Sequence, residues 1–248
     1  MNFNLYDKIR RPPTLIESFN DNHKAFVNGN PLWKGNIIPL HPIRRNYMQV
    51  AEGRYDKSRM IQDLWNLSDN QTWVTKDGKA EGWTSITLKS LNGGDQSFLT
   101  ETELGSRENN KYKYTKAMDH CSYFRDIIES LPTDIYLVRV LKLKAGARIK
   151  FHTDEVVFKR KQDIIRCHLP IVTNEKVKFQ IGYPRASPAP GFEIWDADVL
   201  HERHLDYGHL WYTNVNTLHG VVNGGDTDRY HLVIDMRPNP GMLKKIYG

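Results

Sequence analysis

Cysteine is scarce: Cys121 and Cys167 are the two among 248 residues. Two thiols cannot build a disulfide framework, so a reducing compartment is expected. They stand 46 positions apart with no Cys-x-x-Cys, which leaves a structural zinc site without support. No apolar run approaches the ~20 residues that a membrane helix needs. The opening Met1-Asn2-Phe3-Asn4 lacks the charged-then-apolar layout of a signal peptide. The phosphate-cradling GxxxxGK[ST], the dinucleotide GxGxxG and the hydrolase GxSxG are all missing. No internal repeat or low-complexity tract is present. These absences point to a cytoplasmic globular protein with no membrane partner.

What is present supports a packed core. Apolar residues make up 39% of the chain, and 9 Phe, 12 Tyr and 6 Trp supply bulk, which excludes a disordered chain. The 35 Lys and Arg against 29 Asp and Glu give a net charge of +6. That excess permits acidic partners without requiring them. The basic stretches 142–150 and 159–161 lack the interleaved aromatics of a base-stacking platform, so a nucleic-acid partner is not expected.

Two textures divide the chain. Residues 1–54 are rich in Pro, Asn and basic residues and read as extended segments wrapping a core. A helix is predicted over 56–67, with Asp56 as N-cap and Met60, Ile61, Leu64 and Trp65 on one face. A strand is predicted over 83–88, and the polar stretch 92–110 reads as a loop. Asp119 is the expected N-cap of a second helix carrying Cys121, Phe124, Ile127, Ile128 and Leu131, stopped by Pro132. From Ile135 onward short β-rich runs dominate: 135–143, 147–151, 164–172, 177–181, 192–195, 210–215 and 230–236. Turn residues such as Gly146, Gly182, Gly191 and Gly224-Gly225 separate them. Short strands so closely spaced mean a sandwich or barrel. The expected layout is a helical N-terminal portion, 1–134, packed on a mainly β core, 135–248, as one integrated domain. Trp195 and Trp211 are expected in the core.

Chemistry-bearing residues collect in the β half. His152 and Asp154 are two apart, so at a strand end both side chains point to one face. His219 lies 67 positions later. Two imidazoles and a carboxylate can cap one face of an octahedral ion and leave positions open, the facial triad of non-haem Fe(II) sites. His-x-Asp alone also fits an ordinary surface pair. Arg229 strengthens the metal reading. It follows His219 by ten residues, and a hairpin through Asn223-Gly224-Gly225-Asp226 would set its strand beside that of His219. A guanidinium there could hold the far end of a dicarboxylate co-substrate by a bidentate pair. Arg166 and His168 interrupt an apolar strand on one face, which favours a carboxylate-binding site over a merely solvated face. Arg139 interrupts another strand, where a lone edge charge is an equal alternative. His201, His204 and His209 form a rival metal cluster, but Asp206 and Gly208 place them on a loop.

As a set, these motifs resemble the Fe(II)/2-oxoglutarate-dependent dioxygenases, and within them the aspartyl/asparaginyl β-hydroxylase group, which includes free-proline cis-hydroxylases. The resemblance runs from about Ile135 to Pro238. It rests on the Gly146 turn into His152-x-Asp154, Arg166-x-His168-x-Pro170, Gly182, Trp195, and His219-x-x-x-Asn223 followed by Arg229-x-His231-Leu232-Val233-x-Asp235. It implies a double-stranded β-helix, the cupin-like jelly roll. It implies Fe(II) held by His152, Asp154 and His219, and 2-oxoglutarate held by Arg229 with help from His168. Substrate contacts would come from Arg166 and Arg139. The implied reaction uses O2 to hydroxylate an unactivated C–H bond of an amino acid or peptidyl side chain, with succinate and CO2 as co-products. A small-molecule or peptide substrate bearing a carboxylate is the implied partner. The peptidyl aspartyl hydroxylases lack the carboxylate ligand that Asp154 supplies here, and His231 stands where penicillin-synthase relatives carry a serine. The alternatives are a cupin-like binding or structural protein with a vestigial site, a zinc hydrolase or isomerase using the same ligands, and an oxygenase acting on nucleic acid.

Overall fold

The computed structural model describes residues 46–50, 55–75, 82–94, 111–152, 154, 165–184, 197–215, 217–237 and 239–247. Readings that fall on residues 1–45, 51–54, 95–110, 159–161 and 191–195, Trp195 among them, lie outside the described residues.

In chain order the elements are β1 (Tyr47–Gln49), α1 (Lys57–Asn70), β2 (Val74–Thr75), β3 (Trp83–Leu91), β4 (Tyr112–Tyr114), a 3-10 turn (Lys116–His120) and α2 (Ser122–Ser130). There follow β5 (Ile135–Leu143), β6 (Arg148–His152), β7 (Ile165–Val172), β8 (Val177–Pro184), β9 (Ala197–Arg203), β10 (Trp211–Thr213), β11 (His219–Asn223), β12 (Arg229–Met236) and α3 (Pro240–Tyr247). Among the described residues no helix is long and apolar enough to cross a membrane.

Asp56 caps α1 by accepting from the Arg59 amide at 3.0 Å. The buried stripe is Met60, Leu64 and Leu67, with Asp63 beside it. Trp65 was expected on that face but is 48% exposed. One helical step beyond Leu64 turns a side chain by about 100°, which carries the indole to the rim, edge-on to Tyr230. The expected cap of α2 is also corrected. Asp119 sits inside the 3-10 turn, and Cys121 at the N-cap position makes no side-chain cap bond. The cap arrives from α1, where the Asp63 carboxylate accepts from the Phe124 amide at 2.7 Å.

Among the described residues all strand pairs are antiparallel and form two sheets. The larger runs β1-β10-β7-β12-β5-β3-β2, with β4 also on β3, and the smaller runs β6-β11-β8-β9. From β5 onward the chain passes large, small, large, small, small, large, small, large. That alternation between two facing sheets is the double-stranded β-helix, so the fold is a jelly roll. Strands from the N-terminal part widen the large sheet, with β3 beside β5 and β1 beside β10.

This topology corrects the expected hairpin. β11 lies in the small sheet and β12 in the large one, so His219 and Arg229 are on strands in opposite sheets instead of side by side. The turn between them is a crossover, organised by fully buried Asn223. Its amide nitrogen donates to the carbonyls of Leu143, Lys144 and Thr227 at 2.9–3.1 Å.

The large sheet separates two cores. Its outer face packs Leu169, Cys167, Leu232, Ile234, Val138 and Val140 against Met60, Leu64, Phe124 and Ile128 of the helices. Between the sheets lies a smaller core that includes Leu143, Val177, Phe179, Ile181, Trp211 and Val221. The period of two puts Tyr230, Leu232, Ile234 and Met236 on the helix side of β12. Arg229, His231, Val233 and Asp235 therefore face the small sheet, and the polar groups gather there.

Candidate metal centre

His152 ends β6 and His219 opens β11, and the two residues are direct partners in the ladder. Their ring centroids are 4.4 Å apart. Asp154 follows just beyond the strand, where its amide donates to the Val215 carbonyl at 3.2 Å. One donor atom from each of the three residues lies within 4.8 Å of the others. The backbone sets both tautomers. Nδ1 of His152 lies 2.8 Å from the Lys150 carbonyl, and Nδ1 of His219 lies 2.9 Å from that of Thr217. A carbonyl only accepts, so each Nδ1 carries the proton and each Nε2 presents a lone pair.

Electrostatics keep these groups in ligand form. Burial, with His152 nearby, depresses His219 to about 3, so its imidazole is neutral at neutral pH. Burial alone would raise the Asp154 carboxyl. The Arg166 guanidinium, with His152 and His219, outweighs that and holds it well below the usual carboxylate range. Phe179 stacks parallel on the His219 ring at 5.4 Å. Tyr47 packs edge-on to Phe179 at 5.8 Å and donates from its hydroxyl to the Phe179 carbonyl at 3.1 Å.

Behind Phe179 lies a second polar group. His168 meets Phe179 at 5.8 Å and His231 at 5.7 Å between centroids. His231 Nδ1 accepts from Arg229 Nη2 at 2.7 Å. Arg229 is 1% exposed, yet its Nε and Nη1 find no hydrogen-bond partner among the described residues. The same holds for both ring nitrogens of His168 and for Nε2 of His231. Burial pushes Arg229 down to about 9, and burial with the Arg229 charge pushes both histidines well below their ordinary value. An arginine keeps its proton, so the cost stands as an unpaired buried cation. Such a cradle fits one end of a dianion.

Arg166 and Arg139 occupy the same inner face. Arg166 donates from Nε and Nη2 to the two oxygens of Asp235 at 2.7 and 2.8 Å, and from Nη1 to Oδ2 of Asp154. Arg139 is buried. Burial and the Arg166 charge lower it to about 10 against the opposing pull of Asp235 and Asp154. Thus His152, Asp154, His219, His168, Arg229, Arg166 and Arg139 all converge between the sheets. The rival histidines do not. His201 is exposed on β9, His204 bonds the Val177 carbonyl, and His209 lies 3.7 Å from Asp206. Sequence reasoning gave no roles to Phe179, Tyr47 or Asp235. Of these, Asp235 carries a readable signal, a carboxylate in step with Arg229 and His231 inside an apolar strand.

A jelly roll presenting two imidazoles and a carboxylate, with an unpaired buried arginine nearby, defines a non-haem Fe(II) oxygenase that uses 2-oxoglutarate. The sequence narrows this class: the family model for aspartyl/asparaginyl beta-hydroxylase matches residues 43–238, and the chain belongs to that family. It is an enzyme whose cofactor and co-substrates are Fe(II), 2-oxoglutarate and O2. No curated protein matches it. Among solved structures it is similar to HygX from Streptomyces hygroscopicus, solved with nickel, 2-oxoglutarate and hygromycin B. That pair shares 9% identity over 79% of this chain and 84% of that one, with a TM-score of 0.43. A Trichoplax adhaerens prolyl hydroxylase, in complex with a hypoxia inducible factor oxygen degradation domain peptide fragment, matches at 10% identity. It covers 95% and 97% of the two chains with a TM-score of 0.44. The α-ketoglutarate-dependent epimerase SnoN from nogalamycin biosynthesis matches at 15% identity over 78% and 77%, with a TM-score of 0.45.

Proposed function

We propose that the protein hydroxylates an unactivated C–H bond of a carboxylate-bearing amino acid or peptidyl side chain, releasing succinate and CO2. The observation that carries this reading is the buried Arg229 guanidinium with two nitrogens unpaired among the described residues, on the inner face of the large sheet opposite the donor set of the small one. His152 and His219 would hold Fe(II) through Nε2, and Asp154 through a carboxylate oxygen. When bound, the iron and 2-oxoglutarate supply the oxidising power that no side chain has.

The protein's share is placement and exclusion of water. Arg229, with His168 beside it, would take the far carboxylate of 2-oxoglutarate. His231 accepts from Arg229 and keeps the guanidinium plane in place. Phe179 and Tyr47 wall one side of His219 and hold its ring. Three of the five N–H groups of Arg166 are engaged, which leaves two for a substrate carboxylate. Arg139, two residues along the same inner face from Leu141, adds a second positive charge. Among the described residues the site counts Arg139, Arg166 and Arg229 against Asp154 and Asp235, a net +1 before metal or co-substrate. Fe(II) and the 2-oxoglutarate dianion cancel, so the loaded site still favours an anion.

The test is an anaerobic titration of the Fe(II)-loaded protein with 2-oxoglutarate, followed by a screen of amino acids and peptides for stimulated succinate formation. A visible charge-transfer band that His219→Ala abolishes is expected. No band with iron bound would remove the co-substrate role, and stimulation confined to uncharged substrates would remove the carboxylate preference.

A further inference from the structure

Asp154 stands just past the end of β6, outside the hydrogen-bonded ladder, and its amide makes one backbone bond. Backbone alone therefore does little to aim its carboxylate. The side chain is aimed from the opposite sheet. Oδ1 faces His152 Nε2 at 3.4 Å, the side toward the metal donors, while Oδ2 is held by Arg166 of β7. Arg166 is held in turn by Asp235 of β12, its direct partner in the ladder, through a two-pronged pair at 2.7 and 2.8 Å. The side chains of Arg166 and Asp235 are 14% and 7% exposed, so water competes little for either.

We infer that Asp235 is a positioning residue for the metal site, setting the orientation and effective charge of Asp154 through Arg166. The fork fixes the plane of the guanidinium, because both prongs must reach one carboxylate. The third N–H group then points at Oδ2, which would leave Oδ1 free to serve a metal. Charge is balanced as well. Arg166 alone would cancel the negative charge that Asp154 offers a cation. With Asp235 the trio carries −1, so the ligand is held without being neutralised. This inference rests on the reading of His152, Asp154 and His219 as metal ligands.

The test is Mn(II) binding to the metal-free full-length protein, read from the free-ion electron paramagnetic resonance signal. Asp235→Asn should weaken Mn(II) binding by roughly ten- to a hundredfold, the range for outer partners of metal ligands. In an Asp154→Ala background the same substitution should cost no further affinity, because the group it acts through is gone. Equal losses in both backgrounds would mean a general structural role and would overturn the inference, as would no loss in the native background. If Asp235→Asn does not fold, Arg166→Lys takes its place. It keeps the charge but loses the fork, and the same dependence on Asp154 is expected or the inference fails. Unchanged Mn(II) binding in Asp154→Ala alone would overturn the metal assignment itself, a failure distinguishable from that of the relay.

Discussion

Replacing Arg229 by Met separates binding from stability, because the two effects have opposite sign. The guanidinium is 1% exposed, with Nε and Nη1 unpaired and His231 as its one hydrogen-bond partner among the described residues. Once a 2-oxoglutarate carboxylate sits there, removing one member of a buried charge pair costs about 3–5 kcal/mol. That corresponds to a loss of co-substrate affinity of roughly two to three and a half orders of magnitude. At 100 times the dissociation constant, a ligand stabilises the native state by about 2.7 kcal/mol. In a chain of this length that is a rise in Tm of about 5–11 °C. At the same 2-oxoglutarate concentration the variant should show about 1 °C or less. Without 2-oxoglutarate the order reverses, and the variant should melt at or above wild type, since a similar-sized apolar side chain replaces an unpaired buried charge. Thermal unfolding of the Mn(II)-loaded proteins under anaerobic conditions, with and without 2-oxoglutarate, reads both quantities. A variant that keeps the full ligand-induced shift would refute the co-substrate role. One that melts several degrees low without ligand would show that the cation is structurally paired.

Two further outcomes follow from other sites. His168 and His231 are held neutral by burial and by Arg229, so the unfolded chain takes up a proton on each near pH 6.5 that the folded chain refuses. The unfolded state then binds more protons, and stability must fall as pH drops below that value, by about 2.7 kcal/mol per pH unit for the pair. Urea unfolding of metal-free protein at pH 7.5 and 5.5 measures the slope, and a His168→Asn/His231→Asn variant with an undiminished slope would contradict the assignment. On the other side of the large sheet, Asp63→Ala removes the carboxylate that caps α2 and should cost about 2 kcal/mol in urea unfolding. Asp63→Asn, which keeps an oxygen acceptor, should cost clearly less, and equal losses would argue against the cap.

The sequence revealed the chemistry more readily than the geometry. His152, Asp154, His168, Arg166 and Arg229 stood out because polar side chains at short spacings interrupt or end apolar β-rich runs, and the structure gathers them between the sheets. The pairing of β11 and β12 was not. A Gly-rich turn between two β-like runs looks the same whether the chain folds back or crosses to another sheet. What decides here is Asn223, whose three carbonyl partners come from the end of β5 and from Thr227. The Asp63 cap and the Asp235–Arg166 pair were equally invisible, since they join residues 61 and 69 positions apart. β9 escaped notice because its side chains are largely exposed, and a strand without a buried face shows no alternation. α3 went unread because its start is marked by just two neighbouring residues, Asn239, whose side chain accepts from the Met242 amide, and Pro240, its first residue. Trp65 misled because a large apolar residue next to Leu64 looks like core until the helical angle is drawn.

β12 is buried along its whole length, yet its eight residues belong by turns to two different neighbourhoods. Even-numbered positions pack with the helices, and odd-numbered positions face the small sheet, where the polar groups gather. Point substitutions on this strand are therefore separable. Val233 can be exchanged to reshape the space between the sheets while Leu232 and Ile234 keep the scaffold. A single-residue insertion or deletion is not separable, because it would swap every side chain between the helix-side core and the inter-sheet space at once. Descent within such a lineage would thus proceed by exchange of residues in β12, with changes of length confined to the connections around it.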